Sequence, residues 1–256
     1  MAKIFEKVIH NWLLNYIEKY DLINENQFGF RRNKSTSDAV QSLTELIYEK
    51  LDKSERVMAI FLDLSKAFDT VNHNKLLQKL QNIGIRGLPL HLIKSYLENR
   101  VQVVKLNDTY SDELTVKIGV PQGTILWPLL FLVYINDLLK KKIKGKIISY
   151  ADDTSLVLYE SSWRELENAA NLAVNDINKW LRNNGLTINV EKTNYILFCN
   201  HNNTKPIKFK VIIHDDDQCL DCDCKSITSI NSTKYLGIII DSNMKWREHM
   251  ELLKKN

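Results

Sequence analysis

No stretch of this 256-residue chain is apolar for long enough to read as a membrane span. The most apolar segment, Gly123 to Leu139, is interrupted by Pro128, Asn136 and Asp137. It falls short of the roughly 20 residues a bilayer needs and reads as a buried helix, so no membrane partner is expected. Cysteine is scarce as well: there are four, and Cys219, Cys222 and Cys224 share one short stretch. No disulfide framework is indicated, which points to a reducing compartment. No cleavable leader is expected either, because Met1 to Lys7 reads directly as the start of an amphipathic helix. The expectation is an intracellular protein, cytoplasmic or nuclear, and not a secreted one. His10, His73, His91, His201 and His249 show no grouping, which argues against a histidine-centred hydrolase. Internal repeats, low-complexity tracts and linkers are absent too.

What is present is a soluble composition with 44% hydrophobic and 26% charged residues. The balance of 35 Lys and Arg against 31 Asp and Glu gives a charge of +4, too mild to imply a nucleic acid by itself. The distribution says more. Lys140, Lys141, Lys142, Lys144 and Lys146 crowd one segment, and Arg31, Arg32 and Lys34 another. Such clusters can neutralise phosphates, although short charge runs are more often solvated surface.

Apolar periodicity predicts a helix over residues 3 to 19 and a second one capped by Ser35 or Thr36. Val57 to Asp63 reads as a strand ending on an acid. Helices are expected over Leu76 to Ile83, Leu88 to Asn99, Gly123 to Lys140 and residues 162 to 183, the last stopped by Gly185. Val101 to Leu106 and Leu114 to Ile118 suggest paired strands, and Lys146 to Tyr159 a hairpin with an acidic tip. Further strands are expected over Asn194 to Cys199, Ile207 to His214, Ser226 to Ile230 and Lys234 to Ile240. Uneven spacing with hairpins rather than crossovers predicts an α+β fold, an antiparallel sheet with helices on one face.

Two acidic sites carry the chemistry: Asp63 within Phe61-Leu-Asp-Leu-Ser-Lys-Ala-Phe-Asp69, and Asp152-Asp153 after Tyr150-Ala151. A strand end puts one carboxylate at the rim of a sheet, and a hairpin tip supplies the other two. If the hairpin lies beside the strand, the three converge. Carboxylates brought together repel, a divalent cation relieves the repulsion, and oxygen-only ligation suits Mg²⁺. Two such ions would assist an in-line phosphoryl displacement. Taken singly each motif is ordinary, since acids are common in turns and at strand ends.

Their order along the chain changes that balance. Lys3-Ile-Phe-Glu-Lys-Val-Ile, Gln27-Phe-Gly-Phe-Arg31, Phe61 to His73, Gly119-Val-Pro-Gln-Gly-Thr124, Tyr150-Ala-Asp-Asp153, Asn184-Gly-Leu, Lys192-Thr193 and Tyr235-Leu-Gly-Ile238 follow one another. Over nearly the whole length, the chain resembles the reverse transcriptase domain of non-LTR retrotransposons of the LINE-like, jockey and CR1 type.

The resemblance implies a right-hand polymerase palm with partial fingers and little thumb: residues 1–55 as fingers and 56–256 as palm, including the Tyr150-Ala-Asp-Asp153 hairpin and a primer-grip hairpin at Tyr235-Leu-Gly, in one continuous domain. It implies RNA-directed DNA polymerase activity, adding dNTPs to a DNA primer on an RNA template, with two Mg²⁺ ions and Mn²⁺ as the alternative. No protein partner follows from it. Asp63, Asp152 and Asp153 match the metal-binding acids, and Leu64 would lend its backbone carbonyl. Phe68 matches the ring that closes the sugar pocket, where it would clash with a ribose 2′-hydroxyl. Gln122 and Gly123 match the nucleotide and template side, and Arg31 a template or nucleotide contact. Lys192 matches a residue that protonates the leaving pyrophosphate. For Phe68, Arg31 and Lys192 the plain alternatives are core packing or solvated surface.

The chain departs from the pattern in places. A fingers segment with Arg-Pro-Ile is expected ahead of Lys3, most of the thumb beyond Tyr235, and Trp127 stands where relatives carry Gly. An added side chain in a packed region costs about 1–3 kcal/mol. These departures motivate an alternative, a truncated, catalytically inactive nucleic-acid-binding remnant. An RNA-dependent RNA polymerase is disfavoured by Phe68. Three Cys and His214 offer four zinc ligands, but without a second spaced pair a solvent loop between strands is the reading preferred.

Overall fold

The computed structural model describes residues 2–98, 100–116, 118–119, 123–199, 205–214 and 224–255. The chain forms two compact units. One gathers residues 1–24, 66–137 and 184–186, and the other residues 25–65, 138–183 and 187–256.

The helices are α1 (Ala2–Lys19), α2 (Thr36–Asp52), α3 (His73–Asn82), α4 (Leu88–Leu97), α5 (Trp127–Ile135), α6 (Trp163–Asn183) and α7 (Arg247–Lys255). In the first unit, α3 packs against both α4 and α5. The α5 helix is apolar all round and buried along its length, as a central helix should be. It is shorter than the expected Gly123 to Lys140. Pro128 sits in its first turn, where a missing N–H costs nothing, and the chain resumes only as a 3₁₀ turn at Leu138–Lys140. Tyr134 on α5 donates from its hydroxyl to the Asn184 carbonyl, which gives the Asn184-Gly-Leu motif its place in this unit.

The second unit is built on a five-stranded sheet. Its order is Thr228–Ser229, Asn194–Phe198, Arg56–Leu62, Asp153–Glu160, Gly145–Tyr150. All neighbours are antiparallel except the first pair. The central Arg56–Leu62 strand is buried from Val57 onward, because it is covered on both faces. Val57, Ala59 and Phe61 face a core that includes Ala39, Val40, Leu43 and Ile47 of α2. Met58 and Ile60, alternating with them, are buried too. The amphipathic α6 lies against the Arg56–Leu62 and Asp153–Glu160 strands.

Beyond the Gly145–Tyr150 edge runs the loop carrying Gln27. Ser149 donates its N–H to Asn26 at 2.9 Å, and its carbonyl accepts from Phe28 at 2.8 Å, so the loop covers an otherwise open edge. Ser35 caps α2 through a capping box with Asp38, as its position suggested.

Other elements differ from the sequence reading. Lys234 to Ile240 is not the one strand its apolar pattern suggested but a hairpin, as the resemblance implied at Tyr235-Leu-Gly: Ser232–Tyr235 with Ile238–Asp241, turning at Leu236 (φ +49°) and Gly237 (φ +90°). Two residues with positive φ make the tight hairpin turn that strand twist favours. Ile207 to His214 shrinks to Ile212–Ile213, and Ser226 to Ile230 to Thr228–Ser229. Val101–Gln102 does pair with Leu114–Thr115, with a second small hairpin at Lys105–Leu106 and Thr109–Tyr110. Cys224 is disulfide-bonded, a bond the sequence reading did not anticipate. That bond removes Cys224 as a thiolate ligand for zinc; Cys219 and Cys222 lie outside the described residues. No helix among the described residues is long and apolar enough to cross a membrane.

Candidate active site

Register brings the acids together. Leu62 pairs with Thr154 at the end of the antiparallel ladder, and Asp63 and Asp153 are the residues that adjoin that pair along the chain. On the other side of the same hairpin Tyr150 pairs with Asp153, leaving Ala151 and Asp152 as the two turn residues. Residues 124 or 130 positions away complete the local scaffold.

The turn is held from below. Ala151 sits at φ +58°, a conformation that costs an L-residue roughly 1–2 kcal/mol. Its N–H donates to Gln27 Oε1 at 2.9 Å, and the same oxygen accepts from Gly29 N–H at 2.9 Å. Gln27 Nε2 donates to Ser149 Oγ at 3.3 Å, and Ser149 Oγ donates to the Ala151 carbonyl at 2.8 Å. Gln27 and Ser149 are fully buried, so this is a satisfied polar network of the kind that fixes one geometry. Gly29 is there for space: a Cβ would lie 2.4 Å from Ala151 N. Arg31 donates to the Gln27 carbonyl at 3.4 Å, behind the turn.

Asp63 is held on the opposite flank. Its N–H donates to Thr193 Oγ1 at 3.2 Å, and its carbonyl accepts from Asn189 N–H at 2.8 Å. Ser65 N–H reaches Thr187 O at 2.9 Å, so the bridge between Leu64 and Ile188 uses the groups on either side of Leu64. In an antiparallel pair of that kind the Leu64 carbonyl points away from the ladder, available to a ligand. Lys192 is exposed and precedes the buried Thr193, which puts it on the Asp63 flank.

The carboxylates feel one another. Partial burial pushes the half-buried Asp152 above the ordinary carboxylate value; its own backbone N–H opposes this, and the Asp63 charge adds to the rise. Asp153 is raised first by loss of water around its carboxyl, although the residue as a whole reaches solvent, then by the charges of Asp152 and Asp63. The three are not closed into a ready-made cage, since no group of three His, Cys, Asp or Glu among the described residues is poised to hold an ion. The donor set nevertheless suits a hard cation that keeps waters and takes ligands from phosphates. Tyr235 borders the same cluster. Burial pushes its hydroxyl up to about 12, the Ser155 hydrogen bond lowers it, and the Asp153 charge raises it. Its ring also packs on Phe61 at a tilt of 54°, with 5.3 Å between centroids.

In the other unit, Phe68 is half-buried against Phe131 and Trp127, with ring centroids 4.8 and 5.8 Å away. Gly123 has φ +86° and nothing within 4 Å of where a Cβ would stand. Glycine there takes a backbone conformation that L side chains rarely adopt. Gln122 lies outside the described residues. Sequence reasoning missed Gln27, Ser149 and Thr193 as supports, although Gln27 and Thr193 stand in motifs it had singled out.

The family profile for reverse transcriptase (RNA-dependent DNA polymerase) matches residues 1–240. The chain belongs to the reverse transcriptase family. Among curated relatives, the probable RNA-directed DNA polymerase from transposon BS of Drosophila melanogaster is 29% identical over 98% of this chain and 27% of its own length. That from transposon X-element of the same fly is 30% identical over 98% and 26%. The RNA-directed DNA polymerase from mobile element jockey is 27% identical over 98% and 27%. This reverse transcriptase domain therefore spans about a quarter of the length of those relatives. In fold it is similar to apo telomerase from Candida tropicalis, with a TM-score of 0.61 at 16% identity, over 93% of this chain and 44% of that one. Telomerase from Candida albicans, solved with a fragment of telomeric RNA, gives 0.56 at 18% identity over 79% and 36%. The expected palm-like α+β fold is thus borne out.

The lysine cluster after α5 is largely occupied within its own unit. Lys141 pairs with Asp176 at 2.6 Å, Lys144 with Glu160 at 2.9 Å, and Lys146 donates to Ser42 at 3.4 Å. That favours a structured surface over a phosphate cradle.

Proposed function

We propose that this domain adds dNTPs to the 3′-hydroxyl of a DNA primer on an RNA template, inside the cell, in the cytoplasm or nucleus. Residues 1–55 act as partial fingers and residues 56–256 as palm. The observation that supports the reading is the register that pairs Leu62 with Thr154 and Tyr150 with Asp153, together with the Asp63 charge felt by both Asp152 and Asp153. Asp63, Asp152, Asp153 and the Leu64 carbonyl would hold two Mg²⁺ ions, with Mn²⁺ as a substitute. When bound, such ions supply Lewis-acid stabilisation of the attacking and leaving oxygens.

The chain's own groups do the rest. Gln27 and Thr193 hold the two backbone segments, so the carboxylates need not reorganise when substrate arrives. Lys192 Nζ gives a proton to the leaving pyrophosphate. Phe68 closes the sugar pocket against a 2′-hydroxyl. Gln122, Gly123 and Arg31 contact nucleotide or template.

Primer extension with Mg²⁺, an RNA template and dNTPs tests this. Product is expected from the wild-type chain and lost in Asp152→Asn with the fold intact. Salt-dependent nucleic-acid binding that ignores Asp152→Asn, with no extension by either protein, would instead support the non-catalytic remnant.

A further inference from the structure

Phe68 is an aromatic side chain left half open, yet it is backed by two rings that are not. Phe131 is fully buried and Trp127 is 4% exposed. Their centroids stand 4.8 and 5.8 Å from Phe68 and 5.7 Å from each other, with the Trp127 ring edge-on to Phe68 at 77°. Both backing rings are enclosed in the core. Both sit on α5, which is buried along its length, and Pro128 fixes the backbone directly after Trp127. Trp127 also holds its place at a cost, because its buried Nε1–H has no hydrogen-bond partner among the described residues. A phenyl ring would fill much of that space without the penalty.

We infer that Trp127 is a positioning residue for sugar discrimination: with Phe131 it stiffens Phe68 into a wall that a ribose 2′-hydroxyl cannot push aside. The inference rests on the reading of Phe68 as the sugar-pocket ring. A wall made of one ring discriminates only as far as it resists displacement. Two neighbours set at angles to it, each enclosed in the core, leave the ring a single rotamer. The ligand class so selected is the 2′-deoxyribonucleoside triphosphate. Replacing Trp127 with a flexible aliphatic chain would leave Phe68 in place but let it yield.

The test is single-nucleotide incorporation on an RNA template with a DNA primer, comparing a dNTP with its matching rNTP, alongside equilibrium binding of both nucleotides. The full chain is used as wild type, Phe68→Ala, Trp127→Leu and Trp127→Phe. Trp127→Leu is expected to lower the dNTP-over-rNTP preference about tenfold, mainly through a lower KM for rNTP, the scale on which a misfitted pocket discriminates. Trp127→Phe, which restores a ring, is expected to recover most of the preference. Should Trp127→Leu fail to fold, Phe131→Leu removes the other backing ring and is expected to shift the ratio the same way. A folded Trp127→Leu, or Phe131→Leu in its stead, with wild-type preference beside a Phe68→Ala that has lost it overturns the inference alone. Phe68→Ala with wild-type preference overturns the sugar-pocket reading, and the inference with it. A folded wild-type chain that neither binds nor incorporates any nucleotide overturns the polymerase reading itself.

Discussion

Gln27 satisfies two backbone N–H groups with one side-chain oxygen, and nothing else supplies Ala151 with an acceptor in that network. Gln27→Leu keeps the volume but strands both donors beneath the acidic turn. It is expected to cost about 1–3 kcal/mol per buried group left unpaired, read as a lower urea midpoint with little change in m-value. Gly29→Ala meets backbone rather than a movable side chain, so it should destabilise the fold as well. At Asp152 and Asp153 the sign runs the other way. Both carboxyls lie above their ordinary values, so the unfolded chain releases these protons more readily than the native one. Ionised, the pair destabilises the metal-free native state. That penalty is present above the raised native values and is relieved as pH falls through them toward the unfolded values. Asp153→Asn is therefore expected to raise Tm in EDTA at neutral pH and to abolish the further rise that Mg²⁺ gives the wild type. A fall in Tm in EDTA would contradict the repulsion argument.

Among the elements, the acidic hairpin holds a strained residue at its tip. Ala151 holds a positive φ that glycine adopts freely, so Ala151→Gly is expected to stabilise the chain by up to about 1 kcal/mol, by chemical denaturation. Ser35→Ala removes the cap of α2, the helix that supplies Val40 and Leu43 to the sheet core. Its expected cost is about 1 kcal/mol, again without a change in m-value. Element types were mostly legible from apolar periodicity. The boundaries failed where local chemistry overrode it. Leu236 takes a positive φ that its side chain disfavours, so an apolar run that looks continuous breaks into a hairpin. Pro128 delays α5 to Trp127 although the apolar run starts earlier. The short α7 segregates its apolar and polar positions strongly, yet the sequence reading passed over it.

Across the whole chain, the site was legible in its acids and not in its supports. Asp63 announces itself by ending an apolar strand, and Asp152-Asp153 by interrupting two. Gln27 and Thr193 act on partners more than a hundred positions away, and no local pattern encodes such a contact. The ordered motifs located both residues without revealing what they do; the strand register supplies the reason. Trp127 illustrates the converse. Read from sequence it is an overpacking burden, whereas its ring is accommodated among Phe68 and Phe131 and its cost is an indole N–H unpaired among the described residues.

The central claim is that Asp63, Asp152 and Asp153, distant in sequence, serve one divalent-cation site. Mn²⁺ titration followed by electron paramagnetic resonance addresses it without depending on turnover. The wild-type chain and Asp63→Asn, Asp152→Asn and Asp153→Asn would be compared after circular dichroism has established that each is folded. Weakened Mn²⁺ binding in all three single variants is the result expected, because each removes a charge from the same site. Wild-type binding in any one of them would show that its carboxylate stands apart, and would contradict the shared site on which the polymerase reading depends.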